Sequence, residues 1–523
     1  MTHSILQSLL VLATFFGIVQ AQHQNILMSE ANNPNEPAII IDPSNTNRMV
    51  AAANLNNTYS SNDGGLTWIT NVANSDYGVW GDPVVGVDAS GHFYYFHLSN
   101  PPVGNWIDRI VCQKSTDGGL TWSPGTYTGL NGTKAQDKHW SAFDFEKNAI
   151  FLTWTQFDRY GSREPQDSSN ILFSKSLDGG ESWSIAKRIN QVAGDCIDDD
   201  NTVEGAVPCV GPHNEIYVSW AGPEGIVFDK SSDGGETWLE EDVFVATVPG
   251  GWAYDIPEIQ RANGLPVTAC DASGGEYNGT VYINWSDQRN GEADTDIWLS
   301  KSTDGGQTWS EPRRVNDDPP GKQQFFTWMT IDQSNGNLYF VFYDRRNYND
   351  ELTDVYMAFS RDGGESFTNF KVSDSPFLPT RGVFFGDYTN ISAHEDVIRP
   401  IWTRLHNGSL SMWTAIIQPE LIPEQNNPSE VQLSKASLDQ NFPNPFAEQT
   451  FISFKLHIES FVTLKIFTVN GAVAAVIFRD RKYTTGTYIE SFNAEKYTLP
   501  SGTYFYGIEV GGKLISKKMI VVK

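Results

Sequence analysis

Cysteine and closely spaced metal-binding side chains are scarce in this chain. Its 523 residues include only 4 Cys and 9 His, and none of them are grouped with the spacing of a zinc site. No glycine-rich loop stands at a strand–helix junction, where a phosphate group would bind. The sequence therefore carries neither a zinc motif nor a phosphate-binding motif.

Cationic residues are also few. The chain has 36 Lys and Arg against 63 Asp and Glu, which gives a net charge of −27. Such a charge makes non-specific binding to nucleic acid or to an anionic membrane unfavourable. An anionic substrate would need a local group of Arg or Lys to overcome the overall field.

Long helical periodicity is absent, and long apolar segments are almost absent. The aromatic content of 30 Phe, 20 Tyr and 16 Trp favours strands, while 45 Gly serve turns. One apolar run, ILQSLLVLATFFGIV, lies within residues 1–21 and precedes Val19-Gln20-Ala21. We interpret residues 1–21 as a signal peptide, with a buried first strand as the alternative. No other segment is long and apolar enough to span a membrane.

An exported protein is free to form disulfides. The sequence leaves open a bridge of Cys196 with Cys209 or Cys270. Cys112 falls within a strand pattern and is expected to be a small buried residue. Pairing itself cannot be derived from the sequence.

What the chain does have is one phrase, Ser-x-Asp-x-Gly-x-x-Trp, repeated six times. The six Asp residues are Asp63, Asp117, Asp178, Asp233, Asp304 and Asp362, and only the last copy ends in Phe367 instead of Trp. Ser and Asp side chains bond to the backbone of a tight turn, and Gly supplies a positive φ. One phrase that recurs at roughly regular positions along the chain predicts a single supersecondary unit, repeated around or along an axis.

Strand patterns surround every copy of the phrase. Each repeat carries two strands before the phrase, a third that enters it and a short fourth that leaves it. A seventh unit, GDYTNISAHEDVIRPIWTR followed by SLSMWTAII, has no copy of the phrase. We expect residues 25–29 to supply its missing outer strand. The prediction is an all-β, seven-bladed β-propeller, with a six-bladed ring and extra strands as the alternative.

The repeated phrase resembles the Asp-box, or BNR repeat, of sialidase-type propellers. That resemblance implies a propeller with the boxes on one face and the functional site on the other. It also implies three Arg on the substrate carboxylate, a Tyr nucleophile assisted by Glu, and an Asp acid/base. The first Arg normally stands in an Arg-Ile-Pro phrase, where this chain has Asn35-Glu36-Pro37, and this departure argues against cleavage of sialic acid.

The chain changes character after residue 417. We assign residues 22–417 to the propeller and residues 418–439, rich in Pro, Asn and Glu, to a linker. Residues 440–523 include Asn444-Pro445-Phe446, an Asn470-Gly471 hairpin turn and LPSGTYFY. They resemble the C-terminal sorting domain of the type IX secretion system of Bacteroidota, which implies a small immunoglobulin-like β-sandwich, contact with that machinery, and release or surface attachment. A glycan-binding module is the alternative.

Candidate functional residues stand where the first strands begin and the second strands end, at the face opposite the boxes. The candidate catalytic residues are Asp82, Glu204, Tyr254, Asp255, Asp387 and Tyr388. The candidate substrate-binding residues are His139, Arg159, Arg289, Arg345, Arg404, Trp80 and Trp328. Paired carboxylates can divide into an acid and a base or nucleophile, and Arg can hold a sugar carboxylate or sulfate. The alternative is that the recurrent Arg residues form ion pairs that pack the blades.

One acidic stretch suggests an ion site. Asp195, Asp198 and Asp200 lie close together in the sequence, and hard oxygen ligands at this density can hold Ca²⁺. The stretch lacks the spacing of an EF-hand loop, so a solvated acidic loop is the alternative. The expected chemistry requires no cofactor.

Three functions are compatible with these features. The first is a secreted or surface sialidase-like glycoside hydrolase that acts on terminal acidic or decorated sugars. The second is a polysaccharide lyase acting on uronate-containing polymers, and the third is a non-catalytic propeller that binds glycan or protein.

Overall fold

The structure of the chain is a computed structural model that describes residues 23–406, 408–422, 436–438, 440–456, 459–468, 472–510 and 513–522. These residues form two compact units, one within Met1–Gln425 and one within Asn426–Lys523. The predicted signal peptide and the Asn470-Gly471 turn lie outside the described residues. Among the residues described, no helix is long and apolar enough to cross a membrane.

The first unit is all-β and is built from seven four-stranded antiparallel sheets, whose strands are numbered here in chain order. From the inner strand outward, sheets 1 to 3 are β2 (Ala38–Ile41), β3 (Met49–Ala53), β4 (Asn57–Ser61) and β5 (Ile69–Val72); β6 (Gly81–Val87), β7 (Phe93–Leu98), β8 (Ile110–Ser115) and β9 (Thr126–Thr128); and β10 (Ala135–Asp144), β11 (Ala149–Phe157), β12 (Ser169–Ser176) and β13 (Lys187–Arg188).

Sheets 4 to 7 follow the same plan. They are β14 (Glu204–Val210), β15 (Ile216–Gly222), β16 (Gly225–Ser231) and β17 (Val243–Ala246); β20 (Val267–Cys270), β21 (Val281–Asp287), β22 (Asp296–Ser302) and β23 (Arg313–Arg314); β24 (Gln324–Asp332), β25 (Asn337–Asp344), β26 (Asp354–Ser360) and β27 (Thr368–Lys371); and β28 (Asn390–His394), β29 (Val397–His406), β30 (Ser409–Ile416) and β1 (Gln24–Ser29). A two-stranded ribbon, β18 (Ala253–Tyr254) with β19 (Ala262–Asn263), lies between sheets 4 and 5, and a short 3-10 helix spans Pro419–Leu421.

The inner strands contact one another in succession and close a ring. Strand β2 contacts β6, and the contacts continue through β10, β14, β20, β24 and β28 back to β2. This is the arrangement of a β-propeller. Its second strands, such as β7 and β11, are buried along their whole length, because each sheet packs against a neighbour on both faces.

The amino-terminal strand completes the seventh sheet. Strand β1 pairs antiparallel with β30, from Gln24 opposite Ile416 to Ser29 opposite Met412. The outer strand expected at residues 25–29 is thus present. Arg399 of sheet 7 donates from Nε to the carbonyl oxygen of Gly64 in sheet 1, at 2.8 Å. The last sheet and the first are therefore joined by both a strand and a side chain.

Each of the six repeated phrases forms the same turn between the third and fourth strands of its sheet. In the fifth copy, Ser302 Oγ donates to Asp304 Oδ1 at 2.7 Å and accepts the N–H of Gly306 at 2.8 Å. Asp304 also accepts bonds from the N–H and hydroxyl of Thr308. Gly306 has φ 86°, and a Cβ there would lie 2.1 Å from a ring carbon of Phe228 in the preceding sheet. The Ser and Asp of the phrase therefore organise a turn.

Lysines that immediately precede three of these phrases tie one sheet to the next. Lys175, Lys230 and Lys301 each donate from Nζ to a glycine carbonyl in the following turn, namely Gly234, Gly305 and Gly363, at 2.7 Å. At the ring closure Arg399 makes the corresponding bond to Gly64. The turns thus also connect neighbouring sheets.

The second unit consists of two antiparallel sheets around its own apolar core. The sheets are β31 (Ala436–Leu438), β32 (Gln449–Leu456) and β35 (Gly486–Asn493), and β34 (Val473–Tyr483), β33 (Ser460–Thr468), β36 (Gly502–Val510) and β37 (Lys513–Val521). Residues such as Phe454, Ile466 and Tyr506 are fully buried between them. That this unit is immunoglobulin-like stays a prediction.

The four cysteines are free thiols. Cys112 and Cys196 belong to one apolar cluster, whereas Cys270 belongs to another, against which Cys209 packs. Cys196 therefore does not meet the other two, and the bridge considered from the sequence is not formed.

Candidate active site

The starts of the inner strands are irregular in a repeated way. The pairing with the second strand shifts between Gly81 and Val84 in sheet 2, and β10, β14 and β24 have equivalent shifts. Within these bulges Asp82 has φ 52° and Lys138 has φ 47°, and Glu36, just before β2, has φ 51°. Bulges re-aim side chains, and non-glycine residues at positive φ concentrate at functional sites. The candidate site therefore includes these positions and the residues that contact them.

Two cations hold carboxylates from several sheets together. Lys138 Nζ donates to Asp82 Oδ2 at 3.2 Å and to Asp387 Oδ2 at 2.9 Å. Arg261 donates from Nε to Asp387 Oδ1 at 3.0 Å, with a second, shorter bond from Nη2, and from Nη1 to Asp198 Oδ2 at 3.1 Å. Six acidic residues belong to this region, which we call the carboxylate cluster: Glu36, Asp82, Asp137, Asp198, Glu204 and Asp387.

Part of the cluster is held ionised. The pKa of both Asp82 and Asp387 lies below the usual range. Burial opposes the charge on each carboxyl, but the ammonium group of Lys138 outweighs the effect of burial. At Asp387 the guanidinium group of Arg261 lowers the pKa further. Burial likewise opposes charge on Lys138, but Asp82 and Asp387 raise its pKa well above the ordinary value. Lys138 is therefore a permanent cation between two carboxylates.

Another part of the cluster is held neutral. Burial, followed by the charge of Asp82, raises the pKa of Asp137 to about 7. Burial, followed by Asp198 and Asp137, raises the pKa of Glu204 well above its ordinary value, and burial with Asp82 does the same for Glu36. Protonated and ionised carboxyl groups thus stand side by side.

Several buried polar atoms in this region have no hydrogen-bond partner among the described residues. They are Oε1 of Glu36, Oε1 of Glu204 and both ring nitrogens of His139. Burial lowers the pKa of His139 to about 4, so its imidazole is neutral near pH 7. Glu36 is instead bonded at Oε2 by the side-chain amide of Asn54.

Aromatic rings separate the cluster from the channel of the ring. Trp140 lies 6.1 Å from Trp328 and 6.2 Å from Tyr388 between ring centroids, and Lys138 Nζ lies 5.9 Å from the Tyr388 ring. These three rings line one end of a cavity of about 740 Å³ whose walls are the seven inner strands. Trp328 and Tyr388 therefore lie between the carboxylate cluster and the cavity.

The structure brings together about half of the residues that the sequence indicated. Asp82, Glu204, Asp387, Tyr388, His139 and Trp328 lie in or against the cluster, and Trp80 lies two residues before Asp82. Tyr254 is buried elsewhere, with its hydroxyl bonded to the backbone carbonyl of Asn263 and to Ser286. The Asp255 side chain is 89% exposed and pairs with Arg381.

The candidate arginines have other partners. Arg289 bonds to Asp287, which lies two residues before it and is the last residue of β21. Arg159 pairs with Asp167, and Arg404 pairs with Asp374. Arg345 is buried and donates to Thr353 Oγ1 and to the carbonyl of Pro257. None of these four guanidinium groups is bonded to a residue of the cluster.

The acidic residues considered for Ca²⁺ are occupied separately. Asp195 Oδ1 accepts from Thr202, Asp198 Oδ2 accepts from Tyr160 and Arg261, and Asp200 Oδ1 accepts from Ala253. No group of three or more metal-ligating side chains occurs in the part of the chain that the structure describes.

Arg261 and Asp137 are members of the site that the sequence did not indicate. Arg261 lies in the ribbon between sheets 4 and 5, which has no counterpart in the other repeats. Asp137 stands beside Lys138 and the candidate His139, but nothing in the sequence marks it as the residue with a raised pKa. Its place just before the bulge at Lys138 becomes visible only in the structure.

A protein family model matches the C-terminal part of the chain. Residues 440–522 match the family model described as "Secretion system C-terminal sorting domain". The chain is therefore exported by type IX secretion to the cell surface or the extracellular space. No curated protein matches the chain in sequence.

Solved structures similar to the chain include sialidases. One is the Hadza microbial sialidase Hz136, at 14% identity over 72% of this chain and 74% of that one, with a TM-score of 0.42. Another is the NanB sialidase of Streptococcus pneumoniae, at 9% identity over 72% and 84%, with a TM-score of 0.44. A third is an ulvan lyase of a polysaccharide lyase family, at 14% identity over 76% and 94%, with a TM-score of 0.42.

Proposed function

We propose that this protein is a secreted glycoside hydrolase whose seven sheets are the blades of a propeller and whose acid/base chemistry takes place at the carboxylate cluster. One observation carries the proposal. Asp137, with a pKa of about 7, stands next to Asp82, which is held ionised. Two carboxyl groups whose environments separate their pKa values are what glycoside hydrolysis requires.

The two roles follow from the contacts of Lys138. Its backbone N–H donates to Asp137 Oδ1 at 2.8 Å, and its Nζ donates to Asp82 Oδ2. Asp137 would protonate the glycosidic oxygen as it leaves. Asp82 would act as the nucleophile or as the base that activates water. One residue thus positions both partners.

The bonding of the arginines weighs against a sialidase. The sialidase resemblance implies three Arg on the substrate carboxylate, whereas the cluster contains Arg261, which is already bonded to Asp387 and Asp198. A lyase would likewise need a cation to neutralise a uronate. A hydrolase acting through Asp137 and Asp82 needs neither.

The test is incubation of the secreted chain with a panel of glycans, following new reducing ends and the ultraviolet absorbance of unsaturated uronates together. We expect reducing ends without that absorbance. Asp82→Asn and Asp137→Asn should each reduce turnover by a factor of about 100 or more, while Asp255→Asn, at an exposed carboxyl outside the cluster, should not.

Three results would overturn the proposal. Uronate absorbance that rises with the reducing ends would indicate a lyase. Full turnover in folded Asp82→Asn or Asp137→Asn would remove the acid/base assignment. Glycan binding without any turnover would indicate a binding module.

A further inference from the structure

Three aromatic side chains form a partly exposed row beside the carboxylate cluster. The ring centroids of Trp80 and Trp106 are 5.5 Å apart, those of Trp106 and Tyr160 are 5.4 Å apart, and both pairs meet edge to face. Trp80 is 40% exposed and Trp106 is 41% exposed. We call these three residues the aromatic row.

The row is joined to the cluster through the backbone and through a hydrogen bond. Trp80 stands two residues before Asp82. At the other end of the row, the Tyr160 hydroxyl donates to Asp198 Oδ2 at 2.5 Å, the same oxygen that Arg261 contacts. One end of the row therefore lies close in sequence to Asp82, and the other end is hydrogen-bonded to Asp198.

The loop that carries Trp106 is held in place. Ile107 is fully buried and has φ 45°, a conformation that costs energy for a β-branched residue. Its N–H donates to the carbonyl of Ser99 at 3.1 Å, and its carbonyl accepts the N–H of Gln136 at 2.7 Å. Trp80 is likewise fixed by its N–H, which donates to the carbonyl of Leu98. Both indole rings are therefore presented by anchored backbone, which lowers the entropy lost on binding.

The charges next to the row restrict what can bind. Lys138 and Arg261, the two cations of the cluster, are both bonded to carboxylates, and the pKa values of Asp82 and Asp387 lie below the usual range, so these two carboxyls are ionised. An acidic sugar that reaches the cluster would therefore meet ionised carboxylates whose two neighbouring cations are already bonded, in a chain of net charge −27. An uncharged sugar meets no such repulsion, and its C–H face matches an aromatic ring.

We infer that the aromatic row is a stacking subsite for an uncharged pyranose of the glycan substrate, and that it selects neutral glycans over acidic ones. The inference rests on the proposed function for the reaction that follows binding. Binding itself depends only on Trp80, Trp106, Tyr160 and the charge of the neighbouring cluster.

The test is calorimetric binding to the full secreted chain, with chromatography to confirm that each ligand remains intact. The probes are three neutral hexasaccharides, cellohexaose, mannohexaose and laminarihexaose, and one acidic hexasaccharide, hexagalacturonate. At least one neutral probe should bind more tightly than the acidic one. Trp106→Ala and Trp80→Ala should each weaken that binding tenfold or more, and Trp106→Phe should restore most of it.

Phe244→Ala is the matched control, because Phe244 is a 54% exposed ring on the outer strand β17 and its loss should leave binding unchanged. Binding that survives both tryptophan substitutions, tighter binding of hexagalacturonate, or no binding of any neutral probe would overturn the inference. Row-dependent binding without turnover would contradict only the hydrolase proposal, whereas turnover that is insensitive to both tryptophans would contradict only the subsite.

Discussion

At the scale of single residues, the candidate site depends on the placement of one lysine. Lys138 is 5% exposed and bridges Asp82 and Asp387, two residues that lie far apart in the sequence. Its own positive φ is part of the bulge that turns its side chain toward both partners. The charge balance of the cluster and the local backbone are therefore set by the same residue.

Replacement of this lysine should be costly. We expect Lys138→Met to lower the free energy of unfolding by about 3–5 kcal/mol, because it leaves buried carboxylates without their counter-ion. The measurement is denaturant unfolding of the secreted chain. Arg159→Met, which breaks an ion pair whose arginine is 66% exposed, should cost about 1 kcal/mol or less. Equal losses in both variants would contradict the bridging role.

Asp137 should make stability and activity depend on pH. Its pKa rises from 3.8 to about 7 in the folded chain, so the folded protein holds this proton more tightly than the unfolded chain does. Its stabilising contribution is complete below pH 3.8 and is lost as the pH rises through about 7, with a slope of at most about 1.4 kcal/mol per pH unit.

Thermal unfolding between pH 4 and pH 8 tests this prediction. The wild-type chain should lose stability relative to Asp137→Asn as the pH rises, and its hydrolytic rate should fall above about pH 7 as the acid ionises. Asp255→Asn serves as the control. Unfolding curves for wild type and Asp137→Asn that shift in parallel over this range would refute the assignment.

At the scale of elements, the repeated turn stabilises its own sheet and the neighbouring one. The serine and aspartate close the turn, the second glycine lets it approach the preceding sheet, and the following aromatic residue packs there. Trp309, for example, lies 5.1 Å from Phe228. The turns lie where the third strands end, whereas the candidate site lies where the first strands begin, so a change in a turn should alter stability without altering the chemistry.

Ser302→Ala tests this separation. Ser302 is 1% exposed, and its loss leaves the buried N–H of Gly306 without its acceptor. We expect the free energy of unfolding to fall by about 1–3 kcal/mol, with turnover per folded molecule unchanged. Thr308→Val, at an exposed position of the same turn, should cost less. A loss of turnover without a loss of stability would mean that the turn belongs to the functional site.

At the scale of the whole molecule, the chain divides into two compact units. The first unit has its own cores and is closed by β1 and Arg399. The second unit has its own core and matches a secretion family over residues 440–522. Export and the proposed chemistry should therefore be separable.

Deletion of residues 440–523 should leave a folded propeller in the periplasm, because the export signal is removed while the closed ring keeps its packing. Cell fractionation and thermal unfolding of the recovered protein measure both parts of the prediction. The full-length chain, found outside the cell, is the control. Truncated protein at the cell surface or in the medium would contradict the role assigned to residues 440–523.

The amino-acid sequence by itself determined the local parts of this protein. The turn bonds join residues that lie within about one eight-residue phrase, as Ser302, Asp304 and Thr308 do, so their composition alone predicts them. The alternation of strands and turns and the sorting domain follow from patterns of the same short range. The candidate Arg289 was misleading for a related reason, because it pairs with Asp287, only two residues away.

Only the tertiary structure decided which residues share the site. Lys138 and Asp387 are 249 residues apart, and they meet because the ring closes and the inner strands bulge at one face. Arg261 contacts this group from the two-stranded ribbon, which does not belong to the repeated pattern of strands. The sequence does not distinguish the carboxyl groups of Asp137 and Asp82, but the folded structure gives them different pKa values. Desolvation favours the proton on Asp137, whereas the ammonium group of Lys138 favours the charge on Asp82.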